Sequence, residues 1–480
     1  MNTNKDYQRF IQSKHVATAE IGIKVDPSNI NARLHDWQKE VVSWGLRKGR
    51  CDLFEDCGLG KTLQQLEWLS QLLNNGAAKT TLILCPVAVA QQTLREHAKF
   101  SINCEARVVS DQSQVASGIN ITNYEKLHKF DTAKFDAIVL DEASILKQFA
   151  GKTKRALCES FANTRYKLGA TATPAPNDHT EIGNQAQFLG IMDSPEMLAR
   201  WFINDSMKAG GYYLREHGRK DFWRWVCSWA IALSRPSDIG YSDKGYKLPP
   251  LNIQTIEIAS EAGEGELFNL GRSVSATTVH VEKRNSLENK TAAIAELVLG
   301  NKEQWAVWVD TNYEADAIKK ALGTNGVVEV RGSDDEDSKA ERLQAFTDGE
   351  ARVIITKPEI GGFGLNWQHC HNTTCMANFS FERFYQLIRR FLRFGQKHTV
   401  NAYLLASEAE SNVVEVLRRK QHDYDAMTRE MCDQMKDGMA EELGRVQLRK
   451  YNPTLSIKLP AWIKSKNEHV NQKQSMESVT

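Results

Sequence analysis

Strand-like and helical stretches alternate along most of this 480-residue chain, which predicts an α/β protein with parallel sheets faced by helices. Two further observations set its plan. The turn Glu55-Asp56-Cys57-Gly58-Leu59-Gly60-Lys61-Thr62 joins a strand to a helix, so it offers bare backbone N–H groups at a helix N-terminus. That geometry holds phosphates. The alternation then breaks over residues 179–250 and resumes near Asn289 with no second loop of this kind. Since the chain is too long for one ordinary core, two α/β lobes joined by a bridge are expected.

Taken in order, residues 1–31 are polar and read as a loosely ordered extension. Leu34-His35-Asp36-Trp37-Gln38 opens an amphipathic helix carrying Val41, Val42 and Trp44. The Gln38 amide can both donate to and accept from the edge of an adenine; the alternative is a solvated helix residue. Cys51–Phe54 has strand-like apolar content, and Leu63, Leu66, Leu69 and Leu72 recur at helical spacing after the turn. Gly58 and Gly60 let the backbone come close to a ligand, Lys61 can reach outer phosphates, and Thr62 can ligate Mg²⁺. The full phosphate-loop pattern wants a glycine where Glu55 stands, so an ordinary turn with an exposed lysine stays open.

Further strands are expected at Thr81–Cys85, Arg107–Val109, Ile119–Thr122, Ala137–Leu140 and Tyr166–Gly169, with helices at Ala90–Phe100 and Thr153–Ala162. In such sheets ligands gather at the carboxyl ends of the strands. One strand ends in Asp141-Glu142-Ala143-Ser144: one carboxylate suits a Mg²⁺ shell, and its neighbour can orient or deprotonate an attacking water. Two acids after a strand also occur in plain turns. The next strand ends in Gly169-Ala170-Thr171-Ala172-Thr173-Pro174, whose small hydroxyl residues can relay the state of a γ-phosphate to a bound strand; a plain turn is the alternative.

Over residues 179–250, Trp201, Tyr212, Tyr213, Arg215, Arg219, Lys220, Phe222, Trp223, Arg224, Trp225 and Trp229 interleave aromatics with bases. Such a surface can stack nucleobases and neutralise phosphates. Trp225 and Trp229, four apart, equally suit one buried helix face. Leu248-Pro249-Pro250-Leu251 is rigid and extended and reads as the bridge. Beyond it come strands at Trp305–Val309, Val327–Val330, Arg352–Thr356, Met376–Phe379 and Val400–Leu405. In Gln386-Leu387-Ile388-Arg389-Arg390-Phe391-Leu392-Arg393-Phe394-Gly395-Gln396 the arginines Arg390 and Arg393 share a helix face. They can clamp phosphate oxygens from across a cleft; a basic face exposed to water is the alternative. His369-Cys370-His371 with Cys375 raises zinc, but no second ligand pair lies at suitable spacing, and no metal is expected there. Residues 408–445 are helical, and the end of the chain is a polar, mildly basic tail.

Composition excludes some classes. The chain is 41% hydrophobic and 25% charged, with 61 Lys and Arg against 60 Asp and Glu. Any basic groove must therefore be local. No run approaches the ~18–20 apolar residues of a membrane span. Nine scattered cysteines read as reduced thiols, so the expected location is the cytoplasm, without membrane association.

Gln38, the 55–62 loop, Cys85-Pro86-Val87, Ile121-Thr122-Asn123-Tyr124, Asp141-Glu142-Ala143-Ser144, Ala170-Thr171-Ala172-Thr173-Pro174 and the Gln386–Gln396 stretch occur in this order. Together they resemble the motifs of superfamily-two DEAD/DEAH-box helicase-like ATPases. The details look most like the Swi/Snf-like branch, in particular its short bacteriophage and prophage members. That branch often has His where Ser144 stands. The resemblance implies two RecA-like lobes: 32–178 binding ATP and 251–430 as the second lobe, with 179–250 a helical insertion and bridge and 431–480 a C-terminal helix and tail. It implies ATP and Mg²⁺ between the lobes and a nucleic acid across both, DNA sooner than RNA. Lys61, Asp141, Glu142, Arg390 and Arg393 then carry catalysis, with Thr62 and Asp141 on the metal. Gln38, Asp56, Cys57, Gly58, Leu59, Gly60, Lys61, Thr62, Gly364 and Gln386 contact the nucleotide. Pro86, Asn123, Tyr124, Thr171, Thr173, Thr356 and Gly361 face the polymer, and Arg389 is an extra base for DNA or solvent. A translocase, a strand-separating helicase and a non-hydrolysing clamp remain as readings, and a monomer is compatible with all three.

Overall fold

The computed structural model describes residues 18–86, 89–147, 151–175, 178–205, 211–258, 286–361, 366–376, 381–407 and 411–444. Its first part runs α1 (Asp36–Lys48), β1 (Arg50–Glu55), α2 (Lys61–Asn74), β2 (Thr80–Cys85), α3 (Ala90–Lys99), β3 (Ala106–Val108), β4 (Gly118–Asn123), β5 (Ala137–Asp141), α4 (Lys152–Ser160) and β6 (Tyr166–Thr171). It continues through α5 (Ile182–Leu189), α6 (Ser194–Trp201), β7 (Phe202–Asp205), β8 (Gly211–Leu214), α7 (Arg219–Cys227) and β9 (Ala230–Leu233). Seven strands form one sheet in the order β3-β4-β2-β5-β6-β1-β9, all parallel. Strands buried on both faces must be apolar throughout, as Leu82-Ile83-Leu84 and Ile138-Val139-Leu140 are.

β1 lies between β6 and β9, second from one end of the sheet. Two buried acids in it, Asp52 and Glu55, break the apolar rule. Asp52 is buried, and its carboxyl is pushed up to about 7 by that burial, with the Gly169 N–H pulling the other way. A Cβ at Gly169 would lie 2.1 Å from Asp52 Oδ1, so the glycine is the space the carboxyl occupies.

The second lobe comprises β10 (Leu251–Ile258), α8 (Leu287–Leu299), β11 (Trp305–Trp308), α9 (Asn312–Leu322), β12 (Val327–Val330), α10 (Glu336–Thr347), β13 (Val353–Thr356), β14 (Asn372–Met376), α11 (Phe381–Phe391) and β15 (Val400–Ser407). Its six-stranded sheet has the order β10-β15-β14-β11-β13-β12, again wholly parallel. Two apolar cores cover its faces, one around Trp308, Trp367 and Phe391 and the other around Trp305, Val307 and Ile355.

Three features differ from the sequence expectation. Residues 18–31 are packed: Val25 and Ile30 are buried, and the backbone of Ile21–Ile23 bonds the carbonyls of Leu46–Lys48. A Cβ at Gly22 would meet Leu46 O at 1.8 Å, so a small residue lets this polar segment lie flat on α1. The aromatic segment is no separate insertion, because it supplies β9 to the first sheet and its tryptophans Trp201, Trp223, Trp225 and Trp229 are buried there. Trp201 stacks on Trp225 at 4.8 Å.

The last helix, α12 (Ser411–Glu442), belongs to both lobes. Val414 packs in a second-lobe core, while Met431, Met435 and Met439, four apart on one face, pack in the first. Lys48 seals its end on Glu442 at 2.6 Å. Residues from 445 onward, the expected tail, lie outside the described residues. No described helix is long and apolar enough to cross a membrane.

Candidate functional site

The turn after β1 has the conformation its glycines allow. Gly58 and Gly60 have φ of 88° and 83°, in the left-handed region where side chains are strained. Space forbids a side chain as well, since a Cβ at Gly60 would sit 2.5 Å from Gln38 Nε2 and one at Gly58 would sit 2.7 Å from Phe394 N. The second contact brings the second lobe onto the loop. Glu55, where the pattern wants glycine, is the last residue of β1 and has no positive φ, so its backbone asks for no glycine. Its carboxylate accepts from Gln64 Nε2 at 2.7 Å and is raised to about 7 by burial, against the pull of Lys61 and Gln64.

Lys61 opens α2 and donates to Glu55 O at 2.7 Å and Asp56 O at 3.1 Å, closing the loop on itself. Gln38 is buried. It donates to Leu59 O at 2.8 Å and accepts from His35 N at 2.9 Å, so it ties α1 to the loop.

Asp141 ends β5. Gln65 Nε2 donates to its Oδ1 at 2.8 Å, and Tyr124 Oη donates to its carbonyl at 2.7 Å. Burial lifts its carboxyl to about 6; Glu142 adds to the rise, and Gln65 and Lys61 oppose it. Lys61, Asp141 and Glu142 thus share one electrostatic site. Glu142 has φ 63° and ψ 59°, a left-handed conformation costing a non-glycine residue roughly 1–2 kcal/mol. Two hydroxyls, Ser144 Oγ and Thr171 Oγ1, each donate to Glu142 Oε1 at 2.7 Å. Strain held in place by two charge-assisted hydrogen bonds marks a carboxylate that must point in one direction.

From the other lobe come Arg390, on α11, and Arg393, which lies two residues past the end of that helix and not on one helix face with Arg390 as expected, because the helix stops at Phe391. Burial lowers the Arg390 guanidinium to about 10, and Arg393 lowers it further, while Cys57, Glu142 and Asp141 hold it up. Arg393 is lowered by burial and held up by Cys57 and Glu96. The loop of one lobe and the arginines of the other face each other. Gln386 is buried on the same helix. Gln396 closes the following turn, donating to Cys370 O at 2.9 Å and accepting from Lys397 N and His398 N. Gly364 lies outside the described residues; Gly361 ends a short helical turn, Pro358–Gly361.

Two side chains have other partners than expected. The Asp56 carboxylate turns to the second lobe, to Arg389 Nη1 at 3.1 Å and Tyr385 Oη at 3.2 Å, and accepts from Cys57 N at 2.6 Å. Arg389 is therefore engaged within the protein. The expected polymer contacts divide. Pro86, Asn123 and Tyr124 line a cleft of about 1600 Å³ between the lobes, with Arg95, Lys126 and Lys147 on one side and Lys339, Asn366 and Gln368 on the other. Thr171, Thr173 and Thr356 are buried. The Thr171 hydroxyl serves Glu142 and accepts from Thr173 N at 3.0 Å, and Thr356 donates to Val330 O at 3.2 Å. None of the three lines the cleft.

In the second segment singled out for nucleic acid, Arg219 bonds Glu430 of α12 at 2.6 Å and Arg215 bonds the carbonyls of Arg200 and Ala199. Tyr213 stays exposed. Of the soft ligands near His369, the Cys370 thiol donates to Gln304 O and His371 meets Glu303 at 3.1 Å. Among the described residues no group of three or more His, Cys, Asp or Glu is placed to hold a metal. Sequence reasoning missed Gln64, Gln65, Tyr385 and the role of Ser144. An amide one helical turn after a phosphate loop was the only signal for the first two.

A strand end, a helix N-terminus with two left-handed glycines, a lysine and an aspartate fit the phosphates of a nucleotide with its divalent ion. Residues 37–305 match the family model described as SNF2-related domain. The chain is 25% identical over 470 residues to the uncharacterized ATP-dependent helicase YqhH of Bacillus subtilis, covering 82% of this chain and 80% of that protein. It is 29% identical over 188 residues to protein p41 of Acyrthosiphon pisum secondary endosymbiont phage 1, 35% of this chain and 40% of that one. Over 105 residues it is 31% identical to the rice DNA excision repair protein CSB, 21% of this chain and 9% of its relative.

Proposed function

Because the chain belongs to the SNF2-related domain family, we propose that it is an ATP-driven motor that translocates on duplex DNA and hydrolyses ATP between two RecA-like lobes. One observation supports this most: Arg390 of the second lobe lies within electrostatic reach of Cys57, Asp141 and Glu142 of the first. A site divided between two bodies couples chemistry to their relative motion. The DNA track is drawn from relatives such as the DNA excision repair protein above and from the basic groups on both walls of the cleft.

In this reading the Gly58–Lys61 backbone and the Lys61 ammonium hold the β- and γ-phosphates. Thr62 and Asp141 would hold Mg²⁺, which when bound would supply positive charge to the phosphate oxygens. Glu142, aimed by Ser144 and Thr171, aligns water for attack on the γ-phosphorus and accepts its proton, as the bond to the β-phosphate oxygen breaks and ADP leaves. Arg390 and Arg393 balance the charge on the transferring group, a contribution worth roughly 10³-fold or more in rate. Once the γ-phosphate departs, the two arginines lose their anionic partner and the lobes can part.

The test is ATP turnover with single- and double-stranded DNA and RNA, alongside triplex displacement and strand separation. Stimulation by duplex DNA with displacement and no unwinding is expected. Turnover unaffected by any polymer, or strand separation by the purified chain, overturns the translocase reading.

A further inference from the structure

Beside the catalytic arginines, one face of α11 makes a second contact with the phosphate loop. Tyr385 and Arg389 are one turn apart. Both reach the Asp56 carboxylate, Tyr385 Oη at 3.2 Å to Oδ1 and Arg389 Nη1 at 3.1 Å to Oδ2. The Arg389 guanidinium lies 4.9 Å over the Tyr385 ring, so each side chain limits the freedom of the other. Asp56 is itself fixed from behind. Its N–H donates to Leu233 O at 2.8 Å, which anchors it to β9, and its Oδ1 accepts from Cys57 N at 2.6 Å. The three residues line a cavity of about 300 Å³ with Asp425 and Arg429 of α12, and Asp425 feels Arg389, Arg429 and Asp56 electrostatically.

We propose that Asp56, Tyr385 and Arg389 form a docking contact that sets the position of α11 on the phosphate loop, and so aims Arg390 and Arg393. The proposal rests on the reading of ATP hydrolysis between the lobes. Arg389 and Tyr385 are then positioning residues, acting through Arg390. Adjacent residues on a helix point about 100° apart, so Arg389 can hold Asp56 while Arg390 faces Asp141 and Glu142. Misplacing a reacting group by about 1 Å can cost on the order of 10²-fold, whereas ATP binding through Lys61 and the loop backbone does not need α11.

The experiment is a double-variant cycle on the full chain with Asp56→Asn, Arg389→Met and both together, reading DNA-stimulated kcat, KM for ATP, the affinity of a fluorescent ADP analogue, and Tm. Each single variant is expected to lower kcat about fivefold, which is the ~1 kcal/mol of a partly exposed ion pair at about 1.4 kcal/mol per decade, with KM and ADP affinity within about twofold and Tm nearly unchanged. The double variant should be no slower than the slower single variant, because the two act as one unit. Arg389→Lys, which keeps the charge on Asp56 but loses the planar stack, should recover part of the rate. Wild-type kcat in Arg389→Met, or multiplicative losses in the double variant, overturns the docking role. A merely structural role would lower Tm and leave the rate per folded molecule unchanged, and that result also overturns it. If the wild-type chain turns over no ATP, the functional reading fails first and the docking role falls with it.

Discussion

Replacing Thr171 by valine removes one of the two hydroxyls that hold Glu142 and changes little else in shape. The residue is buried at the end of β6, and its Oγ1 donates to Glu142 Oε1 at 2.7 Å. A hydrogen bond to a charged group contributes about 1.5–3 kcal/mol. At about 1.4 kcal/mol per decade, kcat should fall roughly 10- to 100-fold if Glu142 must keep its direction for water to be aligned. The strain at φ 63° works the same way, because with one hydroxyl gone the backbone has reason to relax. Thr171 Oγ1 also accepts from Thr173 N, so stability should drop by roughly 1–3 kcal/mol for a buried donor left unmet, which a urea titration reads separately. Stopped-flow release of phosphate at saturating ATP and DNA gives kcat, and Thr171→Ser restores the hydroxyl. A Thr171→Val rate within twofold of wild type, or no recovery in Thr171→Ser, would refute the view that Glu142 is aimed from β6.

Other expectations follow from the same geometry. Arg393→Ala should abolish DNA-stimulated turnover while a fluorescent nucleotide still binds; near-normal hydrolysis would remove the arginine from the site. Asp52 has a carboxyl raised from 3.8 to about 7, so folding is penalised as pH rises from about 4 through 7, by at most about 4 kcal/mol at 1.36 kcal/mol per unit. Asp52→Asn should therefore raise Tm at pH 8 and lose that advantage near pH 4, and equal gains at both would show another cause. Trp229→Ala, at a fully buried site, should cost about 3–5 kcal/mol and leave the DNA affinity of the folded fraction alone. Arg95→Ala and Lys339→Ala, one on each wall of the cleft, should each reduce the slope of log Kd against log salt by about one, and an unchanged slope would take the duplex elsewhere.

The strands of the first lobe were legible because each is a short apolar run with turn residues at its ends, and Thr81–Cys85 against the observed Thr80–Cys85 is typical. Of the expected Met376–Phe379 strand only Met376 lies among the described residues, and it ends a strand that begins earlier than its hydropathy suggested. That strand, Asn372–Met376, carries buried polar residues, two of which find partners on other segments: Thr373 Oγ1 donates to Ala306 O of the neighbouring strand and Asn372 Nδ2 to Glu303 in the loop before it. Hydropathy cannot foresee a polar residue satisfied by a neighbour distant in sequence. Residues 18–31 misled because a polar average hides the buried Val25 and Ile30, and the backbone hydrogen bonds of Ile21–Ile23 to α1 carry no side-chain signature. At the site, residue types and order singled out Lys61, Asp141, Glu142 and the arginine pair as candidates. What they did not reveal was which acid meets which base. Asp56 was expected at the nucleotide and Arg389 at DNA or solvent, and the structure pairs them with each other.

That pairing bears on how the lobes can move. They are joined by the Leu248–Leu251 bridge, by α12 with its ends in both cores, and by the contact of Asp56 with Tyr385 and Arg389. The first two persist through any rotation that leaves the cores intact, because the bridge is covalent and pulling Met435 and Met439 from their core would cost about 1.5–3 kcal/mol for each side chain. The third is of another kind. Arg389 and Asp56 keep side-chain exposures of 19% and 24%, so water partly screens the pair and its net worth stays near the ~1 kcal/mol of surface ion pairs. A contact that weak can be made and broken in every cycle by a ligand bound to both lobes, since a ligand shifts an equilibrium only by its differential affinity for the two states. A buried pair in its place would hold the lobes in one arrangement, and the site would lose the freedom that a motor requires.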